Sequence, residues 1–223
     1  MQKLTSPFDL IKRSVNIFSK KENLLFLIQI YIPSAIFSII SVAQSFLPAS
    51  VKDSNPVGMA TLPVLLLSFF VGVFVTASGI VALGKVVEGG ELSVKKTFKS
   101  GWKSYRIFLL LSIALTLIYI FGFVLLIVPG ILFVVWFAFS RFMVIEKGLG
   151  VKPALLKSKE LVKGIYWKIL GRLLVFGAFT MIIQMVLSVI PYGLGSTVSS
   201  LCGGLYVLPL YLLYKELDAV QGD

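Results

Sequence analysis

The side chains that could do chemistry are few and sit at boundaries. Glu88, Glu146 and Glu216 each fall where an apolar stretch gives way to basic sequence, and Arg106, Arg141 and Arg172 fall at or just inside the same kind of boundary. A carboxylate at the C-terminal end of a helix meets the negative end of the helix dipole, so each glutamate calls for a nearby cation. An arginine at that depth faces protein, water or a lipid headgroup. The six residues therefore fit snorkelling arginines with solvated glutamates, a ring of arginine–glutamate pairs or, with Arg141 and Arg172 deepest, a site for an anionic headgroup.

Other chemistry has little to build on. Histidine is absent, which removes the commonest general base and metal ligand, and the one cysteine, Cys202, lies in an apolar run with no partner for a disulfide. There is no GxxxxGK(S/T) phosphate loop, GxSxG elbow, HExxH or CxxC. Gln29, Gln44, Gln184 and Thr116, inside apolar stretches, suit hydrogen bonds between helices. No catalytic constellation, metal site or cofactor is expected.

The elements that must position these residues are those of a membrane protein. Of 223 residues 57% are hydrophobic and only 14% charged, with a mean hydropathy of +0.96, too few polar side chains to cover a water-soluble fold. Six spans of roughly 20 residues with short connections account for the length, leaving no room for a soluble catalytic domain beside them. The net charge of +11 belongs to the membrane flanks and not to nucleic-acid binding.

Residues 1–23 form no cleavable signal peptide, because Lys3, Lys12, Arg13, Lys20 and Lys21 interrupt their apolar residues. Leu4, Phe8, Ile11, Val15 and Phe18 follow helical spacing, and Ser6, Pro7 and Asp9 resemble a capped first turn. This predicts an amphipathic helix on the cytoplasmic interface. Spans are expected at 24–47, 62–83, 107–128, 131–145, 167–190 and 197–214, the third closed by Pro129-Gly130 and the fourth short for a bilayer. Basic amphipathic helices precede the third span, with Val94, Phe98, Trp102 and Tyr105 on one face, and the fifth, with Val151, Leu155, Val162 and Ile165 on one face. The tail KELDAVQGD reads as short and polar. The layout suggests three repeats of an amphipathic helix followed by a hairpin, with VVEGG echoed by VIEKG. Apart from Lys52, every Lys and Arg lies in the N-terminal segment, the two amphipathic connections with their adjoining helix ends, or the tail, which predicts cytoplasmic termini.

The stretches LLIVPGILFVVWFAFSRFMVIEKG, VKPALLKSKELVKGIYWKILG and LPLYLLYKEL resemble the membrane domain that precedes the catalytic domain in some bacterial glycerophosphodiester phosphodiesterases, and stand-alone YciC-like membrane proteins. The resemblance implies a six-helix domain in the inner membrane of a prokaryote, with no activity of its own. Without histidine, the HRG-type catalytic motif of those enzymes is missing. The expected function is a noncatalytic membrane module that binds anionic lipid on the cytoplasmic side or docks a protein partner. A transporter or export accessory is the alternative, and its marks would be broken helices and polar groups near the midplane.

Overall fold

The computed structural model describes residues 4–45, 55–191 and 194–221. Among these the chain is all-α, with no strand. In order the helices are α1 (Pro7–Ser19), α2 (Lys21–Ser45), α3 (Asn55–Glu88), α4 (Val94–Leu125), α5 (Ile127–Trp136), α6 (Ser140–Lys147), α7 (Val151–Val162), α8 (Tyr166–Ser188), α9 (Leu194–Leu201) and α10 (Gly203–Gln221). Six stretches are long and apolar enough to cross a membrane: Lys21–Ile40, Pro63–Glu88, Val94–Leu125, Ile127–Lys147, Tyr166–Ser188 and Leu194–Val220.

The third span differs from expectation at both ends. The Ser93 hydroxyl accepts the Lys96 N–H at 3.5 Å and starts α4, and no breaker separates the basic turns from the apolar ones. The predicted amphipathic helix and the span of 107–128 are therefore one rod of 32 residues, about 48 Å long. It ends at Leu126, which is extended, before Pro129 is reached. Pro129 instead occupies the first turn of α5, where no N–H is needed. The two arms of this hairpin interlock through their glycines. A Cβ on Gly122 would lie 2.7 Å from Phe133, and one on Gly130 would lie 2.5 Å from Phe123.

The fourth span is two helices. α5 stops at Trp136, the turn Phe137–Phe139 intervenes, and α6 runs one residue beyond Glu146 before Gly148, at φ +63°, closes it. The sixth is also divided. Beside the interruption at Cys202, a Cβ on Gly203 would meet the Tyr31 ring at 2.5 Å, so the glycine permits α2 to approach. α10 then continues helical to Gln221, and the expected polar tail is its last two turns.

The N-terminal helix exists, but in a different rotation. Leu10, Ser14 and Phe18 are buried and pack α1 against the bundle, while Phe8 is 71% and Val15 40% exposed. Ser6 makes no side-chain cap, so the predicted capping box does not form. A stripe containing the small Ser14 lets α1 lie close to α10, which a stripe of Phe8 and Val15 would hold away.

On α2, α3 and α8 burial is concentrated in the half that lies towards the basic helices. On α2, Phe26, Leu27, Ile30 and Tyr31 are buried whereas Ile36, Ile39 and Ile40 are exposed. On α3 the contrast lies between Val73–Leu83 and Leu65–Phe70, and on α8 between Ile169 with Phe176 and Met181–Val189. Exposed apolar ends of this kind suit hydrocarbon, which gives helices no hydrophobic reason to close together. The three suggested units differ in how the amphipathic helix joins its span. α1 is parted from α2 at Lys20 and α7 from α8 at Gly164, but the corresponding junction in α4 is unbroken.

Candidate functional site

Glu88 and Glu146 find a lysine in place of arginines. Lys215 Nζ lies 2.6 Å from Glu88 Oε1 and 2.9 Å from Glu146 Oε2. One turn earlier on α10, the Tyr211 hydroxyl donates to Glu146 Oε1 at 2.9 Å. Gly84 makes room for this junction, since a Cβ there would stand 3.0 Å from Glu146 Oε1 and 3.1 Å from the Tyr211 hydroxyl. A second pair, Lys147 with Asp218, ties the same two helices. The residue missed from sequence is Lys215, assigned to a short polar tail. Its signal was the spacing of Tyr211, Lys215 and Asp218, which share one helical face.

Arg172 and Glu216 meet at the N-terminal segment without touching each other. Arg172 Nη2 donates to the carbonyls of Leu4 (3.0 Å) and Thr5 (2.8 Å), Nε to Thr5 (3.2 Å), and Nη1 to Lys168 (3.0 Å). Glu216 Oε1 accepts from the Thr5 amide at 2.7 Å and its hydroxyl at 3.0 Å. The guanidinium is thus occupied by backbone carbonyls. Arg106 and Arg141 are exposed, and among the described residues neither enters an ion pair or a hydrogen bond. The predicted arginine–glutamate ring is replaced by one lysine bridge and one strap across Thr5.

The intramembrane polar residues behave variously. Gln184 donates to Ser199 Oγ at 2.6 Å and joins α8 to α9, while Thr116 bonds its own helix at Ser112. Gln29 is exposed, and the side chain of Gln44 falls outside the described residues. A cavity of about 460 Å³ reaches Gln184, and another of about 530 Å³ lies beside Glu88 and Glu146. They share no lining residue.

A larger groove, about 980 Å³, opens between α5, α7 and α8. Its geometry follows from one serine. The Ser158 hydroxyl donates to the Trp136 carbonyl at 2.8 Å and accepts the Phe139 N–H at 3.2 Å, so it satisfies both sides of the break between α5 and α6. Ala154 and Ser158 are small and fully buried, which lets α7 lie against that break. The buried stripe of α7 is consequently Ala154, Ser158, Leu161 and Val162, with Val151 and Leu155 only half-buried. Lys159 then stands over Trp136, 4.3 Å from the ring centroid, and Trp167 at the start of α8 is 79% exposed.

Among the described residues no group of acids or cysteine has the spacing to hold a metal ion. No family model, curated protein or solved structure matches the chain.

Proposed function

We propose that this protein is a noncatalytic integral membrane module that gathers anionic lipid at its basic half. The observation that carries the reading is a set of exposed cations on three separate helices: Lys12 and Arg13 on α1, Lys95, Lys99 and Lys103 on α4, and Lys152 and Lys157 on α7. Among the described residues none of these enters an ion pair. A basic residue near an anionic surface contributes about 1 kcal/mol, so several on one face outweigh the loss of lipid mixing. The positive-inside rule supports a cytoplasmic position for that face, and the resemblance to prokaryotic six-helix domains supports a cell membrane as its location.

Extraction into polymer-bounded discs from membranes of known composition tests this. The lipid around the wild-type protein should be enriched in anionic headgroups by about twofold or more over the bulk, and a Lys95→Gln/Lys99→Gln/Lys152→Gln/Lys157→Gln variant should fall to the bulk value. Equal composition around both proteins would reject the reading.

The breaks in the fourth and sixth spans support a second reading, a transporter or export accessory, because discontinuous spans line solute sites in transporters. Against it, Ser158 closes the first break, and the cavities at Gln184 and at Glu146 are separate. Solute flux in proteoliposomes above that of empty vesicles would favour it.

A further inference from the structure

The groove between α5, α7 and α8 combines two chemistries. Its floor is hydrocarbon, from Val128, Ile131 and Leu132 on α5 and Leu170 on α8, and its rim carries Lys159, Glu160 and Lys163. Among the described residues none of these three charges enters an ion pair, although Lys163, just past the end of α7, is only three positions from Glu160. Contact with the Trp136 ring keeps the Lys159 ammonium over the groove. At the same mouth α8 begins with Tyr166 and Trp167, and its first i to i−4 bond is that of Ile169 to Ile165 at 3.1 Å. The amides before it have no acceptor within the helix and favour an anion.

We infer that this groove holds one phospholipid, with its phosphate between Lys159 and Lys163, an amine or hydroxyl of its headgroup facing Glu160, and an acyl chain along α5. The inference rests on the lipid reading above and gives it a specific site. Three features select a lipid over a protein helix. The floor from Trp136 to Val128 runs about 12 Å, close to the ~15 Å of one hydrocarbon leaflet. It leads onto Leu125–Val128, which are 67–71% exposed, so a chain lying there stays continuous with the bilayer. The charge is concentrated at one end only, as in a lipid, and its pattern of two cations and one anion complements a phosphodiester with a donor beyond it. Trp167 at the rim has the exposure of an interfacial anchor.

Native mass spectrometry of protein released from nanodiscs of phosphatidylethanolamine and phosphatidylglycerol tests the site. Wild type should keep one phospholipid per chain. Lys159→Gln/Lys163→Gln should lower the lipid-bound fraction about tenfold. Leu132→Trp, which fills the floor, should do the same with the lysines intact. Both lysines are exposed, so their replacement leaves the fold in place even where the tryptophan disturbs it. Glu160→Gln should shift the retained lipid from the amine-bearing towards the hydroxyl-bearing headgroup, and an unchanged preference would overturn the placing of the headgroup. Retention unaffected by the lysine pair, or no retained lipid in wild type, overturns the groove as a site. If anionic enrichment in the extraction experiment survives that result, the general lipid reading stands without the groove; if it does not, both fall.

Discussion

Glu146 on α6 is held at both oxygens by a single helix, Oε1 by the Tyr211 hydroxyl and Oε2 by Lys215, each at 2.9 Å. Because Lys215 also reaches Glu88 at the end of α3, one ammonium joins the ends of the second, fourth and sixth spans. The Glu146 side chain is 18% and that of Lys215 30% exposed, so water screens the pair only partly.

Lys215→Ala should therefore lower stability by about 1–3 kcal/mol, below the range for a fully buried pair because of that partial exposure. Thermal unfolding in detergent measures it. With Glu146→Gln the double variant should lose less than the sum, whereas Arg141→Ala and Glu146→Ala should be additive, since these two share no contact. Strong coupling of Arg141 to Glu146 would contradict the bridge described.

Ser158→Ala should expose the break in the fourth span. It leaves the Trp136 carbonyl and the Phe139 N–H without their partner, at a cost of about 1–3 kcal/mol for each buried group left unsatisfied. Amide exchange at Phe139 should accelerate selectively. Unchanged protection there would show that the serine does not hold the break closed.

Glycine substitutions should separate by location. Gly101 packs directly on Ser78, and its Cβ would overlap the Ser78 hydroxyl, so Gly101→Val should destabilise by about 1–3 kcal/mol. Gly171 on α8 has nothing within 4 Å of a would-be Cβ. Gly171→Ala should be neutral or stabilising by up to about 1 kcal/mol from helix propensity. Comparable losses at both positions, read from unfolding midpoints, would argue against the packing of α4 on α3.

Arg172→Ala should release the N-terminal segment while leaving the bundle folded. Four of its hydrogen bonds go to carbonyls, three of them to Leu4 and Thr5. Amide exchange at Thr5 should rise about tenfold or more, the equivalent of roughly 1.4 kcal/mol of lost protection, and Glu216→Gln should give a smaller rise. An unchanged Thr5 amide would mean the strap does not restrain it.

Some of this architecture is written locally. Composition and apolar run length determine an all-helical chain with six spans, because a segment in hydrocarbon has to satisfy its own backbone whatever its neighbours are. Gly148 ends a helix through its own left-handed backbone, whereas Pro129-Gly130 only foretell that a hairpin lies nearby, since the chain turns at Leu126 and both residues are helical. The partners of the boundary charges could not be found in this way. Lys215 lies 127 positions from Glu88 and 69 from Glu146, and Arg172 lies 167 from Thr5. Rules about helix ends say that a carboxylate there wants a cation; which cation arrives depends on how α10 packs against α3 and α6. The rotation of α1 departs from the stripe of Leu4, Phe8, Ile11, Val15 and Phe18 that the spacing predicts, for a related reason. Phe8 with Val15 and Leu10 with Phe18 both make an apolar stripe, and the choice fell to the one whose small Ser14 allows close contact with the bundle. Lipid leaves the other stripe without penalty, so periodicity alone carries no preference between them, and only the tertiary packing decides.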